Sequence, residues 1–333
     1  MIKPFDAISG VDRRSLLLGA GGTALASGAR AETGGGGGPP PSKAAYMKVW
    51  AAAETIELWP NGAPGVEAYR PQPQAPDVDP AHLYNVERPT LRVFRSPRPN
   101  GQGLLVIPGG GYVIVSVDNE GLDVADRFNP AGVTVFVLTY RLPGEGWARR
   151  RDVPLQDAQR AMRLIRARAE AFGVDPSRLA ALGFSAGGHL AASLATGFDS
   201  RVYDPVDAAD GLSARPFAVG LVYPVIAMEP PFTHKGSRDF LLGPDPSSDV
   251  VAARSPARHV GPDTPPLFLA HAMDDDAVPV DNSLLMAAAM REAKRPVEAH
   301  LFQEGRHAFG VGRPGTGSEL WPELFARWLE RLS

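Results

Sequence analysis

The heptapeptide Gly183-Phe184-Ser185-Ala186-Gly187-Gly188-His189 constrains this chain more than any other stretch. It fits the pattern G-x-S-x-G, in which a serine sits on a tight, strained turn from a strand into a helix. Small residues on both sides of Ser185 let the chain reverse without Cβ clashes, and the turn lifts the hydroxyl above the end of a sheet. The flanks have the required order. Leu179-Ala180-Ala181-Leu182-Gly183-Phe184 is a short apolar run of buried-strand type, and Leu190-Ala191-Ala192-Ser193-Leu194-Ala195 is an apolar helix former. A glycine-rich turn that merely happens to hold a serine is the competing reading, so the rest of the chain has to supply the partners such a serine needs.

Strand and helix signals alternate on both sides of this turn. Leu91 to Arg95 alternates with period two and reads as a strand at a sheet edge, with Thr55 to Trp59 as an earlier strand. Leu104 to Ile107, Val133 to Leu138, Phe217 to Tyr223, Leu267 to Ala270 and Val297 to Phe302 are short apolar runs, of the kind buried on both faces of a parallel sheet. Helices are expected over Glu120 to Phe128, Gln156 to Phe172, Ser283 to Lys294 and Trp321 to Leu332. In the second of these, Ala158, Ala161, Met162, Ile165, Ala169 and Phe172 form one apolar stripe, and Arg160, Arg163, Arg166 and Arg168 read mostly as a solvated face. Residues 225 to 263 read as a long insertion with one short helix. The expected fold class is α/β: a mostly parallel, doubly wound sheet with helices on both faces.

The N-terminus has a different character. Arg13-Arg14 followed by Ser15-Leu16-Leu17, a mildly apolar run to Ala26 and small residues around Ala29-Arg30-Ala31 resemble a twin-arginine export signal over residues 1–31. A Gly/Pro-rich spacer follows over 32–48, leaving 49–333 as the catalytic domain. The expected location is therefore periplasmic. With a net charge of -3 the 333-residue chain gives no reason to expect a nucleic-acid partner, and having no cysteine it has no disulfide, thiolate zinc site or cysteine nucleophile. No apolar run in the mature part is long enough to span a bilayer.

A serine hydroxyl is a poor nucleophile near neutral pH and needs a base, an acid to orient the base, and donors for an oxyanion. Of seven histidines, His307 lies just past the last strand between Gly305 and Gly310, where a base would stand, whereas His189 lies one helical turn after Ser185 and points back into the fold. The acid belongs between serine and base in chain order. Three consecutive carboxylates, Asp274, Asp275 and Asp276, follow the strand ending at Ala270, with Asp275 preferred and Asp276 second. They lack the alternating oxygen ligands of a calcium loop, so no metal is expected. The oxyanion donors would be the N–H groups of Ala186, Gly110 and Gly111, the glycines lying in Pro108-Gly109-Gly110-Gly111-Tyr112 after an early strand. That loop matches neither a dinucleotide fingerprint nor a P-loop, and no cofactor is called for. Tyr112 beside it is a candidate to restrict the acyl pocket to a small group, with a core aromatic as the alternative.

With these residues in place the chain resembles an α/β-hydrolase esterase, and more narrowly the bacterial acetyl-xylan-esterase-like, BD-FAE-like carbohydrate esterases. The stretches that carry the resemblance are Leu58 to Gly65, Pro108 to Tyr112, Thr139-Tyr140-Arg141-Leu142-Pro143, Pro154 to Ala161, Gly183 to Ala191, Leu221 to Val225, Asp275 with Val278 to Ser283, and Gly305 with His307 and Phe309. The resemblance implies the α/β-hydrolase fold, Asp275 as the acid, and hydrolysis of acetyl esters on plant polysaccharide or oligosaccharide. A broad short-chain carboxylesterase, a feruloyl esterase and a non-catalytic binding protein on the same scaffold are the alternatives. Arg306 stands where the family often has glycine, which would narrow the site mouth.

Overall fold

A computed structural model describes residues 43–74 and 78–333. The expected export signal and most of the spacer lie outside the described residues. The spacer ends earlier than residue 48, because helix α1 (Lys43–Ala52) already occupies its last six positions. Alanine, methionine and lysine favour that helix, and it is tied down by Trp50, which is buried against Phe94 with ring centroids 6.3 Å apart.

The chain continues through β1 (Glu54–Glu57), β2 (His82–Leu83), β3 (Thr90–Phe94), β4 (Gly101–Ile107) and β5 (Val115–Ser116). A wide π-helical turn (Asp118–Leu122) leads into α2 (Asp123–Phe128), then β6 (Thr134–Thr139) and α3 (Val153–Ala167). The elbow joins β7 (Val174–Phe184) directly to α4 (Ser185–Gly197). After β8 (Val219–Val222) come α5 (Lys235–Leu242) and α6 (Ser248–Ala253), and then β9 (Leu267–Ala272), α7 (Asp281–Glu292), β10 (Val297–Phe302) and α8 (Trp321–Leu332). The segment 225–263 therefore holds two helices where one was expected. His234 and Ser247 cap them by accepting the N–H of Ser237 and of Val250.

Eight strands form one sheet in the order β1-β3-β6-β4-β7-β8-β9-β10, while β2 and β5 pair separately. The pairs β1·β3 and β3·β6 are antiparallel and all others in the large sheet are parallel. β3 is thus an interior strand, not the expected edge. Its outer hydrogen bonds are taken by the short β1, which the alternation of β3 alone could not reveal. The strands β6, β7, β8 and β9 are apolar and fully covered where they pair, as a sheet with helices around it requires.

Helix α3 corrects a second expectation. Arg160 is buried, its guanidinium bonded to the Leu58 carbonyl at 3.0 Å and to Asp207 at 2.8 and 2.5 Å. The helix is covered by α4 and by the turn at 208–211, so its buried sector is wider than its apolar stripe.

This topology positions the site. From β4 the chain moves to one side for β6 and returns to the other side of β4 for β7, so connections leave the C-terminal ends of β4 and β7 in opposite directions. Such a switch point opens a crevice above the sheet. Ile107 and Gly183 are register partners across it, which sets the glycine loop beside the elbow. Ala272 and Phe302 are likewise partners, so the acidic loop and the loop carrying His307 start side by side at the same rim.

Candidate active site

Ser185 has φ 50°, a left-handed conformation that is costly for a residue with a Cβ. The close approach of α4 to the sheet maintains it. A Cβ on Gly187 would stand 2.2 Å from the Ile107 carbonyl oxygen, so only glycine allows this contact. Ser185 Oγ lies 2.9 Å from His307 Nε2, and His307 Nδ1 lies 2.8 Å from Asp275 Oδ2. Nδ1–H donates to the carboxylate, which leaves Nε2 free to accept the serine proton.

The three aspartates have separate tasks. Asp275 is enclosed. Its Oδ1 accepts the N–H groups of Ala277 and Val278, and its Oδ2 faces both His307 and, at 3.1 Å, His271 Nε2. Burial pushes this carboxyl up, but the hydrogen bonds from His271 and His307 outweigh it and hold the group well below the usual carboxylate range. Asp274 Oδ1 accepts the N–H groups of Gly305 and Arg306 and so pins the start of the loop that carries His307. Asp276 is exposed, and among the described residues its carboxylate has no protein partner. No group of three or more His, Asp or Glu among the described residues is placed to hold a metal ion.

Gly110 and Gly111 line the same cleft as Ser185 and His307, a space of about 580 Å³. Gly110 has φ 122°, and a Cβ there would lie 2.4 Å from the Ile114 carbonyl oxygen. Among the described residues neither Gly110 N–H nor Gly111 N–H has a protein acceptor. Ala186 is in the first turn of α4, where backbone N–H groups have no intrahelical partner and the helix dipole favours negative charge. The arrangement is suited to holding an oxyanion beside an activated hydroxyl.

Tyr112 is elsewhere. It is buried, does not line the cleft, and donates its hydroxyl proton to His189 Nδ1 at 2.7 Å. His189 Nε2–H donates in turn to the Arg254 carbonyl at 2.8 Å, and burial pulls the imidazole down to about 4. The expected role of Tyr112 in the acyl pocket is therefore replaced by the core alternative, because its ring follows the loop inward rather than over Ser185. Arg306 does not line the cleft either. It is exposed, and its φ of 57° explains why glycine suits that position.

Two participants lay hidden in the sequence. Glu120 is buried, with Oε2 accepting Gly109 N–H at 2.6 Å and Oε1 accepting the Tyr223 hydroxyl at 2.8 Å. Burial raises its carboxyl, and the two hydrogen bonds only partly offset this. In sequence Glu120 looked like the start of a helix, and Tyr223 like the end of a strand.

The BD-FAE family profile matches residues 97–290, more than half of the chain. The chain belongs to the BD-FAE family. Ser185 and Asp275 lie inside the BD-FAE match and His307 beyond its end. The sequence is similar to endo-1,4-beta-xylanase B of Butyrivibrio fibrisolvens, 37% identical over 225 residues that cover 68% of this chain and 34% of the relative. It is similar to an acetylxylan esterase of Xylanibacter ruminicola, 32% identical over 223 residues that cover 66% of this chain and 43% of the relative. The chain thus spans about a third of one relative's length and about two-fifths of the other's. Among solved structures it is similar to the acetyl ester-xyloside bifunctional hydrolase from Caldicellulosiruptor lactoaceticus, with TM-score 0.70 and 36% identity, covering 84% of this chain and 96% of that one. The fold is that of the α/β hydrolases.

Proposed function

We propose that this BD-FAE protein is a serine esterase that removes acetyl groups from carbohydrate through an acyl-enzyme. The observation that carries the reading is the chain Asp275–His307–Ser185, with links of 2.8 and 2.9 Å, opening beside two free glycine N–H groups. His307 Nε2 takes the Ser185 proton as Oγ attacks the ester carbonyl. The carbonyl oxygen gains charge against the N–H groups of Gly110, Gly111 and Ala186, and Asp275 stabilises the imidazolium. His307 then protonates the departing sugar oxygen. Water, deprotonated by His307, cleaves the acyl-enzyme to acetate by the same route.

The carbohydrate assignment is supported by the rim of the cleft. His82, Asn119 and His234 line it together with the ion-paired cluster of Lys43, Asp79 and Asp118, a polar surface better suited to a polyhydroxylated leaving group than to an alkyl chain. The similarity to an acetylxylan esterase and to an acetyl ester-xyloside bifunctional hydrolase supports the same reading. A fluorophosphonate should label Ser185, and acetate release from acetylated xylo-oligosaccharide should exceed cleavage of feruloyl and butyryl esters. A folded, unlabelled protein would sink the esterase reading, and a preference for feruloyl or butyryl esters would sink the carbohydrate one. Export to the periplasm is supported by Arg13-Arg14 and the run that follows. Cell fractionation of the full chain beside an Arg13→Lys, Arg14→Lys variant tests it, with retention of the variant in the cytoplasm as the expected outcome.

A further inference from the structure

The oxyanion loop follows β4 and the base loop follows β10, which is four strand positions away in the sheet, or roughly 19 Å at the usual strand spacing. Their functional atoms must nevertheless agree to a fraction of an ångström, because the same reacting carbonyl meets both. No backbone hydrogen bond joins the two loops among the described residues. They are joined through the wide turn Asp118–Leu122 and through Tyr223.

The connection is continuous. Gly109, at the base of the oxyanion loop, donates its N–H to Glu120 Oε2 at 2.6 Å. Tyr223 donates its hydroxyl proton to Glu120 Oε1 at 2.8 Å. The same hydroxyl accepts Gly310 N–H, in the base loop, at 3.1 Å. The Tyr223 ring packs edge-on against His307 at 5.0 Å and Phe309 at 4.5 Å. The neighbouring residue adds a second tie, since Asn119 Nδ2 donates to the Ala308 carbonyl at 3.3 Å. Contact here is close: a Cβ on Gly310 would stand 3.0 Å from the Asn119 carbonyl oxygen.

The π geometry has a purpose in this setting. Leu122 N–H reaches back five residues to the Val117 carbonyl at 2.9 Å. One extra residue in a helical turn re-aims what precedes it by about 100°. Within this turn consecutive residues, Asn119 and Glu120, address the two loops at once. Both Glu120 and Tyr223 are buried, so neither carboxylate oxygen nor hydroxyl can exchange its partner for water without cost.

We propose that the Asp118–Leu122 turn is a brace that sets the oxyanion donors against His307, with Glu120 and Tyr223 as its positioning residues. The proposal rests on Ser185 and His307 being nucleophile and base. It is independent of which alcohol leaves.

The direction of the hydrogen bonds defines the test. Glu120→Gln keeps the volume but must turn its amide oxygen to Gly109 N–H and its NH₂ to Tyr223. The Tyr223 hydroxyl then has two donors against it and no acceptor for its own proton. Tyr223→Phe keeps the ring on His307 and removes the link to Gly310. With nitrophenyl acetate, each single variant should lose about 10- to 100-fold in kcat with KM within about threefold of the parent, the scale of a small misplacement at a reacting centre. The double variant should be no more than about threefold slower than the poorer single, because both break one chain. The rate of Ser185 phosphonylation should fall in parallel. If the parent is not labelled at Ser185, the nucleophile reading fails and takes the brace with it. If the parent is labelled and a folded Tyr223→Phe keeps its kcat, or if losses appear in KM, or if the two losses multiply, the brace alone is wrong. Tyr223→Phe suffices for this judgement should Glu120→Gln fail to fold.

Discussion

His271 Nε2 lies 3.1 Å from Asp275 Oδ2, the oxygen that also faces His307. His271 is fully buried and its Nδ1 accepts the Ser283 hydroxyl, so the single ring proton is directed at Asp275 and the Val278 carbonyl. A carboxyl held low in the folded state adds stability that is present above its unfolded value near pH 4 and lost as pH falls through the folded value. Removing one of its donors brings the folded value up. His271→Phe should therefore move the acid-unfolding midpoint to higher pH, read by circular dichroism, and an unchanged midpoint would remove His271 from this role.

The acidic run should separate cleanly in kinetics. Asp275→Asn would leave His307 in the wrong tautomer and should lower kcat by about 10⁴-fold. Asp276→Asn should stay within about twofold, because its side chain is exposed. Asp274→Ala releases the N–H groups of Gly305 and Arg306 and should cost about 1–3 kcal/mol in thermal unfolding. Equal kcat losses at Asp275 and Asp276 would contradict the geometry.

Tyr112→Phe removes one buried hydrogen bond, to His189, and should destabilise by about 1 kcal/mol. Its ratio of acetate to butyrate ester cleavage should not change, since Tyr112 does not line the cleft. His189 itself makes stability fall with pH in a higher range than Asp275 does. Its folded value, about 4, lies below the ordinary 6.5, so its contribution is complete above pH 6.5 and declines between 6.5 and about 4. The full decline corresponds to about 3 kcal/mol. Urea unfolding from pH 7 to 4 should show this slope in the parent and lose it in His189→Gln.

Asp157 accepts four donor groups: Trp59 Nε1 at 2.7 Å and, from Arg141, the backbone N–H at 2.8 Å, Nε at 3.0 Å and Nη2 at 2.7 Å. Both charged side chains have no solvent exposure. Asp157→Ala strands a buried guanidinium and should cost about 3–5 kcal/mol. Asp204→Ala, which breaks the exposed pair with Arg201, should cost under about 1 kcal/mol. Urea midpoints of the two variants give the comparison.

The apolar runs at Leu104, Val133, Leu179 and Leu267 were readable as covered parallel strands, because burial on both faces suppresses alternation. The interior place of β3 was not readable, since alternation reports which face is covered and says nothing about what lies alongside. Arg160 misled for a related reason: a helix's own periodicity marks its apolar stripe, whereas its buried sector depends on what packs around it. Tyr112 follows three glycines, of which Gly110 and Gly111 have positive φ angles that turn its ring inward, and residue type alone does not reveal the direction of that turn.

From sequence alone, the elbow, its strand and helix, and the order in which nucleophile, acid and base candidates follow one another were determined, because small-residue spacing and backbone sterics act over a few residues. Only the tertiary structure decided which of three adjacent carboxylates faces His307, that Tyr112 serves His189, and that Glu120 and Tyr223 join two loops from distant strands. Those choices depend on the register of β4 with β7 and of β9 with β10, and a register between segments far apart in the chain exists only once the sheet has formed.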